Sequence, residues 1–208
     1  MAAGKLITIE GIDGAGKSTL AAALADALAT RGTRATLLRE PGGVPAAELI
    51  RKLVKDPQAT IGDRAEALLY AAARAQLVEQ ALAPLLAAGE LVLLDRFVDS
   101  SLAYQGAGRE LGIGAVRAIN EFATGGLAPD RTLLLALDPA TARARSRSRC
   151  GDAPADRLER AGEEFFERIA SAYERLAGAE PGRFAIIDAA RDPGAVLADA
   201  LAALDDLL

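Results

Sequence analysis

The chain has 208 residues, 51% hydrophobic and 25% charged, with a formal net charge of −5. That length and balance give one globular α/β domain with a sizeable core and exclude a disordered chain. The acidic balance argues against general binding to nucleic acid or to an anionic membrane, so any anion must be held by local basic clusters.

One cysteine, Cys150, rules out an internal disulfide and a cysteine-based metal site. The absence of histidine removes Ser-His-Asp triads, histidine metal sites and imidazole acid–base chemistry together. The chemistry must run on carboxylates, arginines, lysine and a metal ion.

Met1 to Lys5 leads directly into a strand-like run, Lys5–Glu10, which leaves no room for a signal peptide. No apolar run approaches the roughly 18 residues of a membrane span. The expected location is the cytoplasm.

Gly11-Ile12-Asp13-Gly14-Ala15-Gly16-Lys17-Ser18 fits the pattern Gly, four residues, Gly-Lys-Ser/Thr. The apolar run Leu6–Ile9 precedes it and the helix-forming run Leu20–Thr30 follows. That strand–loop–helix setting makes the pattern a phosphate cradle. Glycines let backbone N–H groups turn inward on an anion, and the helix N-terminus favours negative charge. Lys17 would reach the β- and γ-phosphates, and the Ser18 hydroxyl would hold Mg²⁺. A glycine-rich turn with a surface lysine is the bland alternative, disfavoured because pattern, context and position agree.

Gly32 ends that helix, and Arg34–Arg39 reads as strand two. Arg39-Glu40-Pro41-Gly42-Gly43 puts an arginine and a glutamate at the sheet's carboxyl edge; an ordinary strand-end ion pair fits equally well. Ala46–Lys55 reads as a helix. Arg64–Ala88 reads as one long helix, with Asp63 as a start signal and Gly89 as its stop. Tyr70 and Arg74 share a face of it, where they could sandwich and hydrogen-bond a base. From spacing alone, a core tyrosine with a surface arginine is the simpler reading. Gln76 lies nearby on the same helix.

Leu91–Asp95 is a short apolar strand ending in a carboxylate, followed by Arg96. Beside a phosphate loop, Asp95 would sit next to Mg²⁺, directly or through water; the alternative is a cap for the next helix. Asp99 to Gly106 is a polar cluster suited to reading a heterocycle, or else a capped helix start. Ala115–Ala123 reads as a helix. Thr132–Asp138 repeats the apolar-run-then-Asp pattern, but Asp138 before Pro139 favours an N-cap with proline at N1.

Ala140–Arg149 and Glu159–Ala177 read as helices joined by a loop. Arg143, Arg145, Arg147 and Arg149 alternate along the first of them. A solvated, salt-bridged helix is the usual meaning of such a run. With a phosphate loop present, a lid carrying arginines to a transferred phosphoryl group is the better one. Phe184–Asp188 is a last strand and Pro193–Leu207 a last helix. Five apolar strands separated by helices imply a parallel sheet covered on both faces, with ligands at the strands' carboxyl ends.

These residues resemble the thymidylate kinase family of nucleoside monophosphate kinases. The resemblance runs from Lys5 to about Asp188. Its selective pieces are Glu10 to Ser18, Arg39 to Gly43, Asp95-Arg96-Phe97, Ala103-Tyr104-Gln105-Gly106 and Asp156-Arg157-Leu158-Glu159. It implies a three-layer P-loop nucleoside monophosphate kinase fold: an α/β domain spanning residues 1–208, a five-stranded parallel sheet flanked by helices, and a small arginine-rich lid at about 142–160. It implies phosphoryl transfer from ATP, with Mg²⁺, to dTMP, and a homodimer packed through helices. ATP would meet Gly11, Ile12, Asp13, Gly14, Ala15, Gly16, Lys17, Ser18 and Thr19.

On the acceptor side, Asp13 is similar to the carboxylate that contacts the sugar 3′-hydroxyl. Tyr70 falls where an aromatic, usually Phe, stacks on thymine. Arg74 matches the arginine that bonds a base carbonyl, and Ser101 a small polar position at the base edge. Tyr104 matches the residue that disfavours a 2′-hydroxyl, with Gln105 beside it. Arg39 and Arg96 look like the clamp on the acceptor phosphate, and Asp95 and Glu40 lie near the metal or its waters. The loop holds no arginine, so the resemblance is to members that supply one from the lid, with Arg147 and Arg149 the candidates. Catalysis would then rest on Lys17, Arg96, Asp13 and those lid arginines.

Two rivals stand beside this reading: another nucleotide or nucleoside kinase of the same fold, and a nucleotide-dependent switch or regulatory ATPase. A GTPase switch is disfavoured, because Asn120 is the only asparagine and Glu121 follows it, leaving no Asn-Lys-x-Asp guanine reader.

Overall fold

The computed structural model describes residues 4–150 and 162–208, with nothing stated for the side chains of Arg149 and Cys150. Its strands are β1 (Lys5–Glu10), β2 (Ala35–Arg39), β3 (Leu91–Asp95), β4 (Arg131–Ala136) and β5 (Phe184–Asp188). They form one parallel sheet in the order β2-β3-β1-β4-β5. β1 is central, and the chain moves to one side of it for β2 and β3 and to the other for β4 and β5. The carboxyl end of β1 is therefore the switch point where ligands bind in such sheets.

Side-chain alternation divides the core between the two faces. Ile7, Ile9, Leu91 and Leu93 pack on one side with Leu24 and Leu28 of α1 (Lys17–Thr30) and with Phe166 and Ile169 further along the chain. Leu6, Val92 and Leu94 pack on the other with Leu77 and Leu82. Because β1 and β3 are covered on both faces, they read as near-continuous apolar runs, broken in β1 by Thr8, which bonds Thr132 at 2.8 Å.

The helices largely match the expected positions, and the exceptions have local causes. After α2 (Pro45–Lys55), the expected single helix over 64–88 divides. It runs as α3 (Asp63–Leu77), a π-helical stretch (Val78–Leu82) and α4 (Ala83–Ala87). Pro84 explains this: it donates no N–H, and its ring clashes with the carbonyl four residues back, which a wider turn accommodates. Gly62, not Asp63, is the N-cap of α3, and Asp63 instead pairs with Arg109 at 3.4 Å.

Residues 98–108 are helical: α5 (Val98–Ser101) runs into a second π-helical stretch, Leu102–Gly108, followed by α6 (Ile113–Thr124). A Cβ at Gly108 would stand 2.7 Å from the ring of Phe165, so only glycine permits that approach. β4 stops at Ala136, and Asp138 caps α7 (Pro139–Cys150) by accepting from the Thr141 N–H at 2.8 Å. α8 (Glu163–Ala179) follows, and α9 (Pro193–Ala202) ends five residues short of the expected helix. No helix among the described residues is long and apolar enough to cross a membrane.

Candidate active site

The loop after β1 carries φ of 138° at Gly11, 90° at Gly14 and 98° at Gly16. These are conformations that L side chains rarely adopt, which is why glycine occupies them. A Cβ at Gly14 would lie 2.0 Å from the Ala142 carbonyl oxygen, so α7 rests directly on the loop. Lys17 opens α1 and is buried; its Nζ donates to the Gly11 and Ile12 carbonyls at 3.0 and 2.9 Å. Burial, and then the nearby Arg96, push its ammonium down to about 8, against the pull of Asp13 and Asp95.

Ser18 Oγ donates to Asp95 Oδ2 at 2.6 Å across the start of α1 and the end of β3. A hydroxyl and a carboxylate oxygen side by side suit a hard cation such as Mg²⁺. Among the described residues no group of three or more His, Cys, Asp or Glu side chains forms a metal cage. That fits Mg²⁺, which is commonly held by one or two protein oxygens together with substrate phosphates and waters.

Arg96 follows β3 with φ 73°, an uncommon conformation for a non-glycine residue that tends to mark functional sites. Its guanidinium donates to Asp13 Oδ1 at 2.6 Å and to Ser100 Oγ at 2.9 Å, and lies 4.9 Å from the Tyr104 ring centroid. Tyr104 donates to Asp13 Oδ2 at 3.0 Å and accepts from the Asp13 N–H at 3.1 Å. Burial alone would raise the Asp13 carboxyl, but Arg96 and Lys17 outweigh it and hold the group well below the usual carboxylate range.

The reading of a core tyrosine and a surface arginine on α3 is reversed. Tyr70 is half-buried, whereas Arg74 is 2% exposed. Its Nε and Nη2 donate to Glu40 Oε2 at 2.8 and 2.6 Å. Nη2 also donates to the Phe97 carbonyl, and Nη1 donates to Ser101 Oγ and to Asn120 Oδ1. All five guanidinium protons therefore have acceptors within the protein, and burial of a cation is made tolerable by that pairing. Glu40, expected near a metal, spends Oε2 on Arg74. Its Oε1 is buried with no hydrogen-bond partner among the described residues.

These groups line one cavity of about 230 Å³ at the carboxyl edge of the sheet. Asp13, Gly14, Gly16, Lys17, Ser18, Arg39, Glu40, Tyr70, Arg74, Asp95, Arg96, Ser101, Tyr104 and Gln105 all reach it. Six basic side chains face three carboxylates there, so the cavity is cationic in a chain whose net charge is −5. Such a concentration suits a polyanionic ligand. Arg39 is exposed and pairs at 2.9 Å with Glu48. Gln105 is buried, its amide held by Glu66 at 3.0 Å.

Of the expected lid, α7 is described. Arg143 pairs with Glu163 at 2.9 Å, Arg145 donates to the Ala189 carbonyl, and Arg147 is exposed. Residues 151–161, including Asp156 to Glu159, and the Arg149 side chain lie outside the described residues.

Comparison with known proteins gives this cavity its context. The thymidylate kinase family model matches residues 9–200. The chain belongs to the thymidylate kinase family. It is similar to the thymidylate kinase of Deinococcus radiodurans, 46% identical over 206 residues that cover 99% of this chain and 98% of the relative. It is likewise similar to that of Desulforudis audaxviator, 48% identical over 193 residues, 92% and 86% of the two chains. The crystal structure of thymidylate kinase from Ehrlichia chaffeensis superposes with a TM-score of 0.78 at 26% identity, covering 98% of this chain and 100% of that one. The family is an enzyme family, using ATP to phosphorylate dTMP.

Sequence reasoning missed several residues that line this thymidylate kinase cavity or stand behind it. Arg51 and Lys55 line it from α2 and stand four apart, a spacing that puts both on one helix face. Asn120, noted only as the lone asparagine, proves to be a buried anchor for Arg74. Glu10 ends an apolar strand as Asp95 does, which was a usable signal, and it is fully buried behind Arg96.

Proposed function

We propose that this cavity is a two-nucleotide site, in which one chain's residues bring ATP and dTMP together for the family's reaction, giving ADP and dTDP. The observation that carries this reading is that the phosphate loop and the Arg96–Asp13–Tyr104 cluster line the same cavity. A regulatory ATPase needs only the first of these.

On the donor side, the N–H groups from Gly11 to Thr19 cradle the polyphosphate, and Lys17 leaves its two carbonyls for the β- and γ-phosphates. Ser18 and Asp95 would hold Mg²⁺, which when bound offsets phosphate charge. On the acceptor side, Arg96 and Arg39 take the dTMP phosphate, Asp13 the sugar 3′-hydroxyl, and Tyr70 stacks on the base. Tyr104, fixed against Asp13, crowds a 2′-hydroxyl. Arg74, Ser101 and Gln105 face the base edge. Arg74 reaches a base carbonyl only by sharing a proton already given to a protein acceptor. The Glu40 carboxylate keeps that buried cation neutralised, and Oε1 remains the one oxygen it could lend toward a metal-bound water.

The acceptor phosphate has a second pKa of about 6, so near neutrality it attacks with little need of a general base. Positioning and charge neutralisation carry the rate. Arg147 and Arg149, in a lid over about 142–160, meet the transferred phosphoryl group. The whole chain acts as one domain in the cytoplasm. It pairs as a homodimer through α2, α3 and α6, where Leu49, Leu68 and Phe122 are 67%, 56% and 92% exposed.

Proton linkage tests the donor half. Lys17 titrates at about 8 in the free protein, and polyphosphate beside it raises that value. Binding of ATP above about pH 8 therefore takes up a proton, and affinity falls as pH rises. Calorimetry in buffers of different ionisation enthalpy should show uptake in the native protein and none in Lys17→Met. Equal uptake in both would place the titrating group elsewhere and remove Lys17 from the phosphates.

A further inference from the structure

β1 ends in Glu10, whose carboxylate is fully buried. Oε1 accepts from the Phe97 and Ser100 N–H groups at 2.7 and 3.3 Å. Oε2 accepts from Ser100 Oγ at 2.5 Å and from the Tyr173 hydroxyl at 2.9 Å. Ser100 Oγ in turn accepts from Arg96 Nη1 at 2.9 Å. One carboxylate thus joins β1, the turn after β3 and α8 directly behind Arg96.

The placement matters because Arg96 sits at φ 73°. Such a conformation persists only where its surroundings fix it. The Phe97 N–H is the first backbone donor after Arg96, so its bond to Glu10 fixes the turn on one side. Ser100 holds the guanidinium on the other. Burial, and then the nearby Asp99, push the Glu10 carboxyl up to about 7, against the pull of the Ser100 hydroxyl, the Arg96 charge and the Phe97 N–H.

We propose that Glu10, acting through Ser100 and Tyr173, is the positioning residue that sets Arg96 for the acceptor phosphate. The proposal rests on the reading of Arg96 as that phosphate's clamp. A carboxylate suits the site because it accepts from two N–H groups on one oxygen and from two hydroxyls on the other. A glutamine of the same shape turns its NH₂ toward the hydroxyls, which must then reverse and accept, and Ser100 Oγ already accepts from Arg96.

The test compares native protein, Arg96→Ala, Glu10→Gln, Ser100→Ala and Tyr173→Phe. It reads binding of dTMP and of thymidine, which lacks the phosphate, together with kcat, KM for ATP and thermal midpoint. Glu10→Gln and Ser100→Ala should weaken dTMP about 10-fold and lower kcat about 100-fold, as expected for a displaced catalytic group. Thymidine binding and KM for ATP should hold, and Tyr173→Phe should show the same pattern more weakly. Equal loss of dTMP and thymidine, or native kinetics, would overturn the proposal. If Glu10→Gln fails to fold, Ser100→Ala and Tyr173→Phe decide on the same criteria. If Arg96→Ala weakens dTMP no more than thymidine, the clamp reading falls and the proposal with it. If Arg96→Ala weakens dTMP selectively and the others do not, only the proposal falls.

Discussion

Lys17→Ala lowers kcat by about 10³-fold while leaving the protein folded, the scale expected for removing a preorganised charge from developing phosphoryl charge. The folded state gains little from this lysine. Its ammonium is buried, its pKa is pushed down to about 8, and its two partners are carbonyls that face the cavity. A lysine whose folded pKa lies below its unfolded value opposes folding, fully below the folded pKa and less and less as pH rises toward the unfolded one. Removing it should leave the melting temperature unchanged or raise it, most visibly below about pH 8. Activity and stability then move independently, which marks a functional lysine rather than a structural one. Turnover within 10-fold of native would contradict the assignment of the loop.

Arg96→Ala lowers kcat/KM for dTMP by on the order of 10³-fold or more, the range seen when an arginine is lost from a phosphoryl-transfer site. Here the guanidinium is held by Asp13, by Ser100 and over the Tyr104 ring, so its direction is set before substrate arrives. Arg96→Lys should rescue little, because an ammonium cannot reproduce the planar fork that spans Asp13 and Ser100 while facing a phosphate. KM for ATP should change far less than KM for dTMP. Steady-state kinetics with each substrate varied in turn checks this. A loss confined to ATP would move Arg96 to the donor half.

Local features carried most of the fold. β3 falls where its apolar run predicts, because a strand buried on both faces has little choice of residue, and the edge strand β5 falls where its own apolar run predicts although Ile186 is 63% exposed. The phosphate loop was legible because three glycines in fixed register have a single backbone purpose. The capping role of Asp138 was legible because Pro139 announces it. The π-helical stretch before Pro84 was not, since helical periodicity tolerates one extra residue over so short a span. The family resemblance put Arg74 at the base, but spacing alone ranked it as a surface residue, because its partners, Glu40, Ser101 and Asn120, are 34, 27 and 46 residues away. Burial of an arginine is decided by such distant acceptors, and no local pattern encodes them. Glu10 was marked by its place at the end of an apolar strand, but its four donors were not, since they come from Phe97 and Ser100 after β3 and from α8, 163 residues on.

The most direct measurement follows ADP release from ATP with dTMP, dUMP, dCMP, AMP and thymidine offered in turn as acceptor. The two-nucleotide site predicts release that depends on dTMP, with AMP and thymidine near background. Release of ADP at the same rate with no acceptor present would contradict it and leave a nucleotide-hydrolysing switch in its place.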